Sequence, residues 1–146
     1  MSLGLVIALI IFVIWRRNRT PLVILNSVLR GTPYENYLRF IYAQSLHETG
    51  NFESPLFKRF NNPMGMGVPI YRKSLRNGEW RAANGEVFST YSSVRNGYKD
   101  FLEWMKYSRM PADLTTCKQY AKYMVKKNYA VDPLYYEKLV NRCENG

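Results

Sequence analysis

In the run Ala43-Gln44-Ser45-Leu46-His47-Glu48-Thr49-Gly50, a single carboxylate, Glu48, stands two positions before a glycine. If the run ends a helix, Glu48 falls in the last turn, where helices border clefts. A carboxyl half-buried in such a place has its pKa raised toward the range useful for general acid catalysis. The plain alternative is a helix-end glutamate that reaches solvent or a partner and does no chemistry.

The helix that must position Glu48 is signalled upstream. Thr32-Pro33-Tyr34-Glu35 has the form of a capping box, with Thr32 at the N-cap, Pro33 at the first helical position and Glu35 at the third. Tyr34, Tyr37, Leu38, Ile41, Ser45 and Glu48 follow at spacings of three or four, and Gly50 can adopt the left-handed conformation that stops a helix. Glu48 therefore shares a packed stripe with Ile41, where an ionised carboxylate needs a partner or a use. After residues 52–60, Asn61-Asn62-Pro63-Met64-Gly65-Met66-Gly67 is a turn-forming run able to approach a polymer closely.

These stretches resemble glycoside hydrolase family 73, the N-acetylglucosaminidases that hydrolyse peptidoglycan with a lysozyme-like fold. The run ending at Glu48 resembles the family's helix ending in its general acid, and Asn61-Asn62 to Gly65 resembles the loop that follows it. Phe88-Ser89-Thr90-Tyr91-Ser92-Ser93, with Asp100-Phe101-Leu102, is similar to the family's strand end and succeeding helix. Asn128-Tyr129-Ala130-Val131-Asp132-Pro133-Leu134-Tyr135 is similar to a late element whose tyrosine lines the active site. The four parts occur in the family's order between Ala43 and Tyr135. The resemblance implies Glu48 as general acid, Tyr129 with its hydroxyl near the reacting sugar, and Asn61, Asn62, Gly65 and Tyr91 along the substrate groove. In the family a second carboxylate stands on a β-ribbon, but the residues aligned with it here are Lys73 and Ser74. Glu79 and Glu86 are the available substitutes, or simply solvated ribbon residues. Otherwise the substrate's own N-acetyl group assists, and no second carboxylate is required.

The remaining elements read as follows. Val68 to Tyr71, Glu79 to Ala83 and Glu86 to Tyr91 are short strand patterns with turn signals at Asn77-Gly78 and Asn84-Gly85, which predicts a small β-hairpin or ribbon. Ser93 can cap a helix with Val94, Tyr98, Phe101, Leu102 and Met105 on one face, closed by Pro111. A further helix spans about 116–127, and Asp132-Pro133 opens a last one carrying Leu139 and Val140. The sum is a helix-dominated α+β, lysozyme-like domain over residues 32–146. Cys117 opens one late helix and Cys143 lies near the end of the next, so antiparallel packing would let their sulfurs meet. The pair is then a disulfide of an oxidising compartment, or two buried thiols of an intracellular one. No metal site is legible, because the one histidine is His47, off the Glu48 face, and no Cys-x-x-Cys pair exists. No cofactor is implied.

At 146 residues the chain suits one compact domain plus a short appendage. Residues 3–15 form an apolar run broken only by Gly4 and followed by Arg16-Arg17-Asn18-Arg19. As a helix, such a run reaches only about 20 Å, but Trp15 and snorkelling arginines extend its span. A signal peptide carries positive charge before its apolar core and a small-residue cleavage site after it; neither is present. The expectation is a retained single-pass anchor in residues 1–19 that contacts lipid through residues 3–15. A short connecting helix over 20–31 follows, with Leu22, Val23, Leu25, Val28 and Leu29 packed on the domain or laid along the membrane. Arginines after the segment and none before it put the domain on the cytoplasmic side of a bacterial inner membrane, where no peptidoglycan lies. An internal virion membrane resolves that conflict, because its capsid-facing side derives from the cytoplasmic face. The protein is then a bacteriophage enzyme of entry or exit, with capsid proteins as partners.

The net charge of +10 draws the chain to anionic surfaces, whether wall polymer, lipid headgroup or nucleic acid, but no nucleic-acid motif accompanies it. Twelve tyrosines suit both a carbohydrate groove and the packing of a small core. The expected function is cleavage of the peptidoglycan glycan strand. The competing classes are a catalytically inactive muralytic fold, serving as a membrane-anchored wall-binding or structural virion protein, and a tethered nucleic-acid binder.

Overall fold

The computed structural model describes residues 20–146. The expected anchor and its lipid contact lie outside the described residues; among these, no helix is long and apolar enough to cross a membrane. The described chain forms helices α1 (Pro21–Leu29), α2 (Leu38–Thr49) and α3 (Pro55–Phe60), strands β1 (Gly78–Arg81) and β2 (Val87–Thr90), and helices α4 (Val94–Tyr107), α5 (Cys117–Lys126) and α6 (Tyr135–Asn145). It is the expected helix-dominated α+β architecture, with one antiparallel hairpin that pairs Gly78 with Thr90 and Arg81 with Val87.

Helix α1 belongs to the domain body. Leu25, Val28 and Leu29 are buried, and the helix packs on α4 and α2, while Leu22 and Val23 remain exposed. The entry to α2 differs from the capping box expected at Thr32. Gly31 adopts a left-handed conformation, so the amide facing the Glu35 carboxylate is its own, at 3.1 Å, rather than that of Thr32. Thr32 Oγ1 donates to the Leu29 carbonyl and accepts from the Tyr34 amide. A 3-10 turn, Glu35–Tyr37, intervenes before the α-helix begins at Leu38. A true capping box occurs instead at α5, between Thr116 and Gln119. Ser93 caps α4 as expected, its hydroxyl accepting from the Asn96 amide.

Two further elements are shifted from their expected places. Val68 to Tyr71 is not a strand: only Gly67 bridges Phe88, Ile70 and Tyr71 are more than four-fifths exposed, and Pro69 has no amide to give a ladder. The last helix begins at Tyr135 rather than at Asp132-Pro133. Asp132 still organises the approach, its carboxylate accepting from the Leu134 amide and its carbonyl from that of Tyr135.

The core is built around α2, whose Ile41, Gln44 and Ser45 are fully buried beside the preceding Tyr37. Helix α6 packs on both α2 and α5. A disulfide joins Cys117 at the start of α5 to Cys143 near the end of α6, with Cα atoms 5.9 Å apart. Of the two states open to these cysteines, the structure has the bonded one. Many of the tyrosines serve this core. The phenols of Tyr34, Tyr37 and Tyr123 donate to the Met110, Pro111 and Ser108 carbonyls and hold the segment after α4 against the entry to α2 and against α5. Packing therefore accounts for much of the tyrosine excess.

Candidate active site

Helix α2 ends as its sequence requires, with Gly50 at φ +54° and the Thr49 hydroxyl accepting from the Phe52 amide. This stop leaves Glu48 in the last turn. Ser45, one turn earlier, donates to the Pro63 carbonyl at 2.8 Å and is bonded to the Tyr98 hydroxyl at 2.9 Å. The acid-bearing helix is thereby tied to the 61–67 loop and to α4.

The loop is shaped from inside by Asn62, which is fully buried. Its Nδ2 donates to the Met66 and Ser89 carbonyls, and its Oδ1 accepts from the Met64 and Met66 amides. Asn61, in the left-handed conformation at the end of α3, donates to the Tyr91 carbonyl. Both asparagines, expected along the substrate groove, thus have their amide nitrogens spent on holding the loop. Gly65 is the loop residue that meets the acid. At φ +65° it turns the backbone past the carboxyl so closely that a Cβ would come 3.1 Å from Glu48 Oε2. Gly97 on α4 is needed for a different reason, since a Cβ there would lie 2.6 Å from the Asn61 carbonyl oxygen.

Glu48 is partly exposed, and its carboxyl pKa is raised from the ordinary 4.5 to about 7 by burial, although hydrogen bonds from Tyr135 and Gln44 oppose the shift. Tyr135 Oη donates to Oε1 at 2.5 Å. No hydrogen bond among the described residues ends on Oε2, and no buried side-chain polar atom among them lacks a partner, so Oε2 is reached by solvent. The geometry is that of a carboxylic acid protonated near neutral pH, with one oxygen anchored inside and the other available.

A cavity of about 220 Å³ lies beside this group, lined by Gly65, Met66, Pro69, Arg72, Trp104 and Tyr129. The Tyr129 hydroxyl donates to the Met64 carbonyl at 2.6 Å, and its ring meets Trp104 edge-on at 4.9 Å. Its hydroxyl therefore braces the loop, and its ring forms part of the wall. Tyr91 is only 2% exposed and donates to Asp100 at 2.7 Å, so it offers no face to a groove. Its place is in an internal ion pair: Arg72 makes two bonds of 2.9 Å to the buried Asp100 carboxylate, which also accepts from the Leu75 amide. Burial alone would raise the Asp100 pKa, but these donors hold it below the ordinary value. The pair clamps the irregular 68–77 stretch to α4. A larger apolar depression of about 440 Å³ is lined by Leu22, Leu38, Tyr42 and Arg142 among others. Glu48 lines neither cavity. The smaller one is joined to the Glu48 carboxyl through Gly65, which lines it and passes close to Oε2.

The candidate second carboxylates stand on the hairpin, facing outward. Glu79 is exposed and lies 3.7 Å from Arg76; Glu86, also exposed, accepts from Asn84 at 2.7 Å. Neither is bonded to any member of the Glu48 group. Gln44, Tyr120 and Tyr135 carry that group, and no role for them follows from sequence patterning. The available signal is Gln44 itself, a polar residue one turn before Glu48 on the packed stripe. Among the described residues, no group of three His, Cys, Asp or Glu side chains is placed to hold a metal ion.

A helix-dominated fold with one hairpin and a recessed, proton-retaining glutamate at a helix end defines a lysozyme-like glycosidase class. Residues 32–145 match the glucosaminidase family, described as mannosyl-glycoprotein endo-beta-N-acetylglucosaminidase, and the chain belongs to this family of glycoside hydrolases, family 73. No curated protein matches the chain. Among solved structures, it is similar to a peptidoglycan hydrolase from Sphingomonas sp. A1, at 22% identity over 88% of this chain and 84% of that one, with a TM-score of 0.65. A type VI secretion effector–immunity complex from Pseudomonas protegens matches at 13% identity over 88% and 92% of the two chains, with a TM-score of 0.64. The glycoside hydrolase domain of Salmonella typhimurium FlgJ matches at 20% identity over 88% and 83%, with a TM-score of 0.56. These likenesses place the fold.

Proposed function

We propose that the protein cleaves the glycan strand of bacterial peptidoglycan with Glu48 as general acid. The observation that carries this reading is the Glu48 carboxyl itself, raised to about 7 by burial, with one oxygen anchored by Tyr135 and the other beside Gly65. The peptidoglycan hydrolase from Sphingomonas, with the same fold, supports the choice of polymer. In the proposed step, Glu48 gives its proton to the glycosidic oxygen as the bond to the sugar breaks. The leaving sugar departs as an alcohol, and an oxocarbenium-like centre remains on the other. Glu79 and Glu86 face outward on the hairpin, which favours assistance by the substrate's N-acetyl group: its carbonyl oxygen attacks the cationic carbon, and water then opens the cyclic intermediate. The wall formed by Tyr129 and Trp104 would receive a sugar face.

The site of action belongs to the same proposal. The apolar run of residues 3–15 with its trailing arginines supports a membrane-anchored enzyme carried in a phage particle. The Cys117–Cys143 disulfide supports a domain that works outside a reducing cytosol. Zymography on purified peptidoglycan, followed by mass spectrometry of the products, tests the activity. Lysis by the native protein and none by Glu48→Gln is expected. A folded native protein that binds wall without cutting it would instead favour the inactive binding module.

A further inference from the structure

Behind Glu48 lies a line of buried hydrogen bonds that runs through three elements. Tyr120 Oη on α5 donates to Gln44 Oε1 on α2 at 2.5 Å, Gln44 Nε2 donates to Tyr135 Oη on α6 at 3.0 Å, and Tyr135 Oη donates to Glu48 Oε1 at 2.5 Å. Gln44 is wholly buried, Tyr120 and Tyr135 are nearly so, and none of the three carries charge. Each member has one arrangement that satisfies its neighbours. A phenol has a single proton, so Tyr120, in giving its own to Gln44, fixes the amide oxygen on its side. The amide NH2 must then face Tyr135. Tyr135, accepting there, has only Glu48 left to donate to.

We propose that Tyr120 and Gln44 are positioning residues that, through Tyr135, hold a donor on Glu48 Oε1 and so favour the acidic proton on Oε2, the oxygen beside Gly65 from which it can be given to substrate. The inference rests on the acid role of Glu48. A donor fixed on Oε1 draws electron density from it and takes one of its two lone pairs, which lowers its proton affinity relative to Oε2, the solvent-reached oxygen. If the amide were free to turn over, Tyr135 could donate to Gln44 and accept from Oε1, and the proton would be locked inward. The ionisable groups facing the carboxyl are the phenols of Tyr120, Tyr129 and Tyr135, each of which is held above its ordinary value by burial first and by the Glu48 charge second. His47, next in the chain, meets the Tyr135 ring edge-on at 5.4 Å. Burial sets the direction of the Glu48 shift, the Tyr135 and Gln44 side chains oppose it, and no charged group among the described residues contributes.

The test uses the full chain carrying Tyr120→Phe and, separately, Gln44→Leu, which nearly conserves volume. Glu48 ionisation is followed by carboxyl carbon NMR, with its signal assigned by its loss in Glu48→Gln, alongside the pH dependence of wall lysis. In folded Tyr120→Phe the expectation is a kcat about tenfold lower with KM within about twofold. The Glu48 titration and the alkaline limb of activity should both move upward by about half a unit or more, because the carboxylate loses a fixed donor. Gln44→Leu should move both in the same direction. A purely structural role would lower the melting temperature but leave the titration midpoint and the pH limb unmoved in the folded protein, and that result would overturn the proposal. If Glu48→Gln remained active, the acid reading would fall, while the NMR midpoint would still report whether the hydrogen-bond line acts on Glu48.

Discussion

At the scale of single residues, Glu48 shows how a carboxylic acid keeps its proton up to near neutral pH. Burial disfavours its charged form, and the two polar neighbours only partly offset that cost. Because its folded pKa of about 7 lies above the ordinary 4.5, folding is unpenalised below the ordinary value and loses stability as pH rises to about 7. Glu48→Gln, which cannot ionise, should therefore be more stable than the native protein at pH 8 by on the order of 3 kcal/mol, with the difference vanishing near pH 4. Urea denaturation at the two pH values measures this. With Glu48 as the proposed general acid, activity should fall as pH rises through about 7, where its carboxyl ionises. Gly65 and Gln44 complete the residue-scale account, the first by leaving room beside Oε2 and the second by orienting Tyr135.

At the scale of elements, the site is a junction of α2, the 61–67 loop and α6, and what surrounds it decides its rigidity. The 68–77 stretch has no regular structure, yet Arg72 and Leu75 fix it to Asp100 on α4. Asp100 contributes stability above the ordinary carboxylate range, and that contribution is lost as pH falls through its lowered pKa. Asp100→Asn would leave the Arg72 guanidinium, whose side chain is 6% exposed, without its charge partner. The expected loss is about 3–5 kcal/mol by chemical denaturation, accompanied by weaker lysis, because Arg72 lines the same cavity as Gly65, the residue that passes Glu48. The hairpin is a smaller device. Trp80 stacks between Phe60 and Phe88, while Glu79 and Arg81 alternate outward, so the ribbon is held by its aromatic face.

At the scale of the whole molecule, the Cys117–Cys143 bond closes the last two helices into one unit, and Arg39 on α2 donates twice to the Cys143 carbonyl. This unit presents both Tyr120 and Tyr135 to the acid helix. Closing a loop across a separation of 26 residues restricts the unfolded chain, and removing the bond with Cys117→Ser and Cys143→Ser together should cost about 3 kcal/mol. The two-state denaturation midpoint of the double variant, compared with the native protein with and without reductant, checks this. A net charge of +10 adds a long-range attraction to anionic polymer that the few surface ion pairs do little to reduce.

Much of this was legible in the chain. Spacing and the glycine stop fixed the end of α2 and placed Glu48 there, because helix periodicity and left-handed caps are local properties. The hairpin turn at Asn84-Gly85 and the Ser93 cap were readable for the same reason. Tertiary structure decided what local rules cannot reach. It moved the start of α2 to Leu38, because Gly31 turns its own amide toward Glu35. It turned Asn62 and Tyr91 from groove candidates into buried braces, because their polar atoms meet partners 27 and 9 residues away. It joined two cysteines that sequence left either bonded or free. It also assembled the Tyr120–Gln44–Tyr135 line, whose members lie up to 91 residues apart and meet only when α2, α5 and α6 pack. The sequence by itself determined that Glu48 stands in the last turn before the Gly50 stop, because helix periodicity and glycine caps are local; only packing determined how deeply its carboxyl is buried and which of its oxygens is anchored.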